Sequence, residues 1–455
     1  MPFISRNPYT EEVWKEYASA ESAYVESQLQ HLHQAFLKWR EASFRERADA
    51  IRKVAQHLRQ SKEAYAQLIT TEMGKPITQA RAEVEKCAWA CDYFAENAES
   101  MLHPMEVLTD ARKSYVAFQP LGVILAIMPW NFPLWQVFRF AVPALMAGNT
   151  VLLKPAPNTP TCGLAVVEAF RQTGLPFDLL RVALVEVEQI PDLIRHPRVA
   201  GVTLTGSPRA GRAVAQVAGE ALKKCVLELG GSDPAIVLRD ANLELAVAQC
   251  LQGRYINSGQ SCIATKRILV ESPLYEAFVE RFVEGSRQQV MGDPMDEATT
   301  IGPLARADLR ENLHRQVRQS IEAGARVLLG GDIPEGRGYF YPPTVMVDIT
   351  PDMPVWNEET FGPVTPIVPV SSRYEAVQRA NESRYGLGAS VFTENIRLGE
   401  EIARDRLEAG NCFVNHFVFS DPRLPFGGIK ESGFGRELGL FGIHEFVNIK
   451  TVYIG

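Results

Sequence analysis

The chain has 455 residues, 46% of them hydrophobic and 22% charged, with a formal net charge of −7. These ordinary globular proportions exclude a disordered chain, a collagen and a disulfide scaffold, and the length suits two or three domains. The mildly acidic balance lacks the basic footprint that nucleic acid or an anionic membrane demands, so neither is an expected partner.

In chain order, residues 21–59 place apolar side chains (Leu29, Leu32, Ala35, Phe36, Trp39) at helical spacing. A second helix is predicted over 63–73, stopped by Gly74 and Pro76, and a third over 77–100. Residues 114–118 alternate like a strand, and 122–128 read as a buried strand. Strand-like runs at 150–153, 199–204 and 235–238 then alternate with helix-like runs at 163–173 and 210–219. A second alternating series covers 268–391. This pattern predicts βαβ units and a parallel sheet, an α/β fold.

There are seven cysteines, an odd number. Cys87 and Cys91 miss the C-x-x-C spacing of redox and zinc motifs, and no H-E-x-x-H is present, so no metal site is expected. The N-terminus has no apolar stretch of signal-peptide length, and the densest apolar run, 121–129, is too short for a membrane span. The expected location is the cytoplasm, with the thiols reduced.

Four short motifs carry candidate chemistry. Cys262 follows Asn257-Ser258-Gly259-Gln260-Ser261 and suits an exposed turn where a thiolate reaches a substrate; a buried structural cysteine is the bland alternative. Glu228 ends an apolar run before Gly230 and Gly231, as a desolvated base or a solvated strand end. Asn131, in Pro129-Trp130-Asn131-Phe132-Pro133, either caps the helix that follows or aims an amide N–H at a developing oxyanion. Leu204-Thr205-Gly206-Ser207 links a strand to a helix, a place for a phosphate or simply a capped turn.

Together with Lys154-Pro155, Glu359-Thr360-Phe361-Gly362-Pro363 and Pro425-Phe426-Gly427-Gly428, these motifs resemble those of NAD(P)-dependent aldehyde dehydrogenases, in order and in separation. The resemblance spans essentially the whole chain. It implies a Rossmann-like cofactor domain (1–106 and 121–228), an α/β catalytic domain (229–432) and a β-strand oligomerisation arm (107–120 and 433–455), with a homodimer or homotetramer as the assembly. It implies Cys262 as nucleophile, Glu228 as the base for water, and Asn131 with the Cys262 backbone N–H as the oxyanion donors. Pro129, Trp130, Lys154, Pro157, Gly206, Ser207, Glu359 and Phe361 would surround the cofactor. Pro157 stands where many NAD users carry Glu and NADP users carry Ser, which points to NAD with some use of NADP.

The substrate is narrowed by the helix predicted after Asn131. At about 100° per residue, Trp135 and Phe138 fall within about 40° of Asn131, and Arg139 within about 80°. Arg139 and Ser420 match positions that bind a carboxylate in succinate semialdehyde dehydrogenases, and several stretches resemble the bacterial Sad-type branch. Trp135 and Phe426 would line the same pocket. Two positions depart from that pattern. Ile256 replaces a second arginine, and Ala264 replaces a second cysteine. The expected reaction is oxidation of succinate semialdehyde, with glutarate semialdehyde or a neutral aliphatic aldehyde as alternatives. A CoA-acylating enzyme, or a binding protein that kept the fold, would not need Glu228, Cys262 and Asn131 together.

Overall fold

The computed structural model describes residues 3–455. It opens with an antiparallel hairpin, Phe3–Arg6 against Val13–Tyr17, that no local pattern announces. The helical stretch expected over 21–59 is two helices, Ser22–Trp39 and Phe44–Gln60. The break has a local cause. The Ser43 hydroxyl accepts the Glu46 N–H, and the Glu46 carboxylate accepts the Ser43 N–H at 2.7 Å, a capping box that starts the second helix afresh. Lys62–Met73 ends at Gly74 in the left-handed region, φ 79°. Ile77–Met101 then packs Val84, Cys87, Cys91 and Phe94 into the largest apolar core.

That core lies against a six-stranded sheet ordered Gly433–Phe434, Lys224–Glu228, Val199–Thr205, Val123–Ile127, Thr150–Lys154, Leu180–Val182. All neighbours are parallel except Gly433–Phe434. From Val123–Ile127 the chain builds outward on one side, then returns to add Val199–Thr205 on the other. The strand order therefore reverses at Val123–Ile127, and a crevice opens beyond the carboxyl ends there, the usual ligand position in such sheets.

A second sheet has seven strands, ordered Arg326–Leu329, Thr344–Val347, Val364–Val370, Thr265–Glu271, Asp233–Val237, Gly388–Phe392, Asn411–Val414. Only Arg326–Leu329 runs antiparallel to its neighbour. The chain passes from Glu228, at the carboxyl end of one sheet, to Asp233, at the amino end of the other, through two glycines. The crevice therefore lies between the two sheets.

A third sheet pairs Lys113–Pro120 with Val447–Ile454 and with Met105–Glu106, all antiparallel. Two boundaries differ from expectation. Met105–Glu106 joins this arm sheet rather than the helical region before it, and Gly433–Phe434 joins the edge of the six-stranded sheet rather than the arm. Among the described residues no helix is long and apolar enough to cross a membrane, and no group of His, Cys, Asp and Glu is arranged to hold a metal ion.

One buried ion pair ties the helical layer to the crevice. Lys75 and Glu83 meet with side chains almost wholly shielded from solvent. Glu83 also accepts the N–H groups of Leu134 and Trp135, both at 3.0 Å, and so caps Trp135–Met146 from a different helix. Lys75 Nζ lies 3.7 Å from the centre of the Phe132 ring. Asn131 does not cap this helix and is not part of it. The helical projection from Asn131 to Arg139 therefore does not apply. Replacing Glu83 with Ala would strand a buried lysine and two N–H groups, a loss of about 3–5 kcal/mol. Lys75→Met combined with Glu83→Gln keeps an acceptor and no orphan charge. It should lose far less in denaturant unfolding, and a double variant as unstable as Glu83→Ala would refute this account.

Candidate active site

The loop that presents Cys262 is under backbone strain. Asn257, Ser258 and Gly259 all have positive φ, at 53°, 54° and 76°. Such conformations cost a non-glycine residue about 1–3 kcal/mol and persist where neighbours over-determine them. Here the Asn257 N–H donates to Gln79 Oε1 at 2.7 Å, Ser258 Oγ exchanges hydrogen bonds with the backbone of Gly302, and Gln260 Oε1 accepts the Ala305 N–H. A Cβ at Gly259 would strike the backbone of Gly362, so space as well as φ requires glycine. Cys262 follows this loop and is partly exposed at the wall of a cavity of about 630 Å³.

Asn131 reaches the same loop. Its Nδ2 donates to the Gln260 carbonyl at 3.2 Å, and its own carbonyl accepts from Asn257 Nδ2 at 2.8 Å. One amide hydrogen is thus engaged, and the second has no partner among the described residues. Burial pushes the Cys262 thiol up to about 12, against the pull of Arg139 and Lys266. The resting group is a thiol, and attack requires the thiolate.

Glu228 ends its strand buried, and neither carboxylate oxygen has a hydrogen-bond partner among the described residues. Burial first and the neighbouring Glu437 second hold its pKa well above the carboxylate range, while Arg139 and Arg436 oppose them. A desolvated carboxyl of this kind is a stronger base once ionised than a solvated one.

Glu359 is held by the Gly231 N–H at 3.0 Å and by Lys266 Nζ at 3.3 Å. Lys266 also donates to the Cys262 carbonyl at 2.6 Å, so Glu359 and the cysteine loop share one cation. A Cβ on Gly230 would collide with the Glu359 carboxylate. Phe361 meets Trp130 edge to face, with ring centres 5.7 Å apart.

Four further expected positions lie at or just beyond neighbouring strand ends. Lys154 is buried, and burial alone lowers its pKa to about 8; its nearest described partner is the Phe3 ring at 5.6 Å. The Gly206 N–H donates to the Glu228 carbonyl at 3.0 Å, which sets the turn, and the Ser207 hydroxyl caps Pro208–Glu220 by accepting the Ala210 N–H. The Pro157 carbonyl accepts the Ile4 N–H, so the N-terminal hairpin sits on this end of the crevice.

The cavity beside Cys262 gathers Trp135, Arg139, Ser420, Phe426, Ile256 and a residue the sequence reading missed, Lys86. Arg139, which by resemblance matches a carboxylate-binding position, already has partners within the protein. It is ion-paired with Glu437, donates to Thr205 Oγ1 at 3.3 Å and stacks 4.6 Å from the Phe426 ring centre. Ser420 Oγ accepts from Lys86 Nζ at 2.8 Å and from Trp135 Nε1 at 3.0 Å. Glu437 and Asp233 were also missed. Both are buried, and burial raises the Asp233 carboxyl to about 7. Asp233 stands at the start of its strand, and no motif marks it.

Residues 2–452 match the model of the aldehyde dehydrogenase family. The chain is 48% identical over 450 residues to succinate semialdehyde dehydrogenase [NAD(P)+] Sad of Escherichia coli, covering 99% of this chain and 97% of that protein. It is 43% identical over 459 residues to the succinate-semialdehyde dehydrogenase [NADP(+)] of Mycolicibacterium paratuberculosis, covering 100% and 97% of the two chains. Its fold superposes with a TM-score of 0.97 on the crystal structure of succinic semialdehyde dehydrogenase from Streptococcus pyogenes in complex with NADP+, at 36% identity and 99% coverage of both chains. With the strained cysteine loop, the buried carboxyl and the crevice already in view, these matches establish that the chain belongs to the aldehyde dehydrogenase family.

Proposed function

We propose that this enzyme oxidises succinate semialdehyde to succinate with NAD(P)+. The observation that carries the reading is the cavity in which the Cys262 side chain shares a wall with cationic and hydroxyl side chains, suited to an aldehyde with a distal carboxylate. The relatives named for that substrate support it.

The residues present fit a dinucleotide. Lys154 is buried without a carboxylate within ion-pair distance among the described residues, a donor suited to ribose hydroxyls. Gly206 and Ser207 lead into a helix N-terminus, suited to a pyrophosphate. Glu359 and Phe361, with Pro129 and Trp130, close the crevice near Cys262. Bound NAD(P)+ supplies the hydride acceptor and a positive charge. Pro157 neither repels nor binds a 2′-phosphate, so NAD is the expected cofactor with NADP accepted.

The chain's own residues do the rest. The Cys262 thiolate attacks the aldehyde carbon, and the Asn131 amide with the Cys262 N–H receives the charge that develops on oxygen. After oxidation Cys262 carries an acyl group as a thioester. Glu228 takes a proton from water, which attacks that thioester and releases the acid. Ile256, an apolar residue on the cavity wall, favours a neutral aliphatic aldehyde as the second reading. The exposed apolar side chains of Ile449 and Tyr453 on the arm sheet suit a homodimer or homotetramer, and a cytoplasmic enzyme fits the free thiols.

Three measurements test this. A panel of succinate semialdehyde, glutarate semialdehyde and butanal should give the highest kcat/KM for the first, by roughly tenfold or more over butanal; a preference for butanal would select the second reading. Glu228→Gln should slow the steady state while leaving an initial burst of NADH, because water attack is impaired after oxidation; a burst that shrinks in parallel would remove Glu228 from that role. Iodoacetamide should alkylate the resting enzyme slowly at pH 7. The rate should climb about tenfold per pH unit up to pH 9, since a raised thiol pKa leaves the group protonated throughout. A plateau below pH 8 would mean the thiolate is already formed at rest.

A further inference from the structure

Three charged side chains line the otherwise apolar cavity, Glu83, Lys86 and Arg139, and two of them are neutralised by partners on or behind the wall. Lys75 is paired with Glu83, and Arg139 with Glu437. Asp421, the acid next to Ser420 in sequence but off this wall, is taken by Arg423 through Nη2 at 2.6 Å and Nε at 2.9 Å. Lys86, half-buried on Ile77–Met101, has no carboxylate within 4 Å among the described residues; its only polar partner there is Ser420. It is the cation on this wall without a counter-ion.

Hydrogen-bond accounting at Ser420 points the same way. A hydroxyl has one donor and two acceptor sites. Both acceptor sites are taken, by Lys86 Nζ at 2.8 Å and Trp135 Nε1 at 3.0 Å. The Ser420 proton must therefore be directed at another acceptor, and none is present among the described residues. The Lys86 ammonium has two further N–H groups beyond the one given to Ser420, and it lies 4.5 Å from the centre of the Trp135 ring, which steadies it. Three donors and one uncompensated positive charge thus converge on an apolar cavity that contains Cys262.

We propose that Lys86 selects the carboxylated aldehyde, gripping its distal carboxylate together with the Ser420 hydroxyl. This rests on the reading that the substrate carries such a group. Lys86 supplies the charge that Ile256 does not, and Arg139, offset by Glu437, serves mainly to hold the carboxyls behind it. The acidity of Lys86 fits this role. Burial and the facing charge of Arg139 lower its pKa to about 8, against weaker opposing effects from Cys87, Asp421 and Glu83. A bound carboxylate reverses that shift.

The test uses the full-length enzyme with NAD+ and compares kcat/KM for succinate semialdehyde and for butanal. In Lys86→Met the ratio of the two should fall roughly ten- to a hundredfold, through KM for succinate semialdehyde, the loss expected for one charge-assisted contact. Lys86→Arg should restore most of it. In the wild type, KM for succinate semialdehyde should rise above about pH 8 as Lys86 loses its proton, and Lys86→Met should lack that rise. If Lys86→Met does not fold, Lys86→Gln serves in its place, with butanal turnover as proof of a folded site. A wild type that prefers succinate semialdehyde and keeps its preference in these variants overturns the role of Lys86 and leaves the substrate intact. A wild type with no such preference overturns both.

Discussion

The Lys75–Glu83 pair is the contact on which the site depends. Burying two charges is costly, and it is tolerated where each finds full compensation. Glu83 does so by serving two ends at once, neutralising Lys75 and capping Trp135–Met146. The cap fixes where that helix begins, and so stations Asn131 in the turn before it and Trp135 and Arg139 on its first turns. Asn131 then meets the Gln260 carbonyl of the cysteine loop. A single carboxylate on a distant helix thereby sets the spacing between Asn131, the Cys262 loop and the cavity wall.

Electrostatics around Glu228 follow a related logic. Glu228 and Glu437 are two buried carboxyls, burial raises both, the Glu437 charge raises Glu228 further, and Arg139 lies close enough to moderate both. With Arg139 so engaged, its position on the cavity wall contributes shape and a stacking face for Phe426 more than free charge. The strain in Asn257–Gly259 is the matching feature on the side of Cys262. It is held by the Gln79 side chain and by the backbone of Gly302 and Ala305, two segments far from the loop in sequence, so the loop is not positioned by its own sequence alone.

The candidate site residues stood out because each sits in a short motif at a strand end, a glycine turn or a tight loop, though the motifs alone left bland readings open and the roles came from the family resemblance. Cys262, Glu228 and Asn131 are read this way, and the parallel strands follow from alternating apolar runs and helices. What escaped had no local signature. The Glu83 cap joins residues far apart in sequence, so Asn131, a good capping residue in the right place, stood out instead. The Arg139 partner Glu437 comes from the far end of the chain, and its absence from the reading left Arg139 looking free. Lys86 offered one clue. It lies one turn beyond Glu83 on a helix whose buried stripe includes Cys87, where a lysine is out of place unless it has work to do. The N-terminal hairpin is short and mostly exposed on its second strand, which leaves no hydrophobic period to detect.

The last stretch of chain joins several of these parts. Gly433 pairs in register with Glu228 itself, Glu437 follows as the counter-ion of Arg139, and Val447–Ile454 completes the arm sheet. One continuous piece of backbone thus reaches from the strand that ends at Glu228 to the arm sheet. A chimaera that exchanged this tail with that of a relative would exchange the surroundings of Glu228 and most of the arm's strand pairing as a unit, so the two features are inherited together.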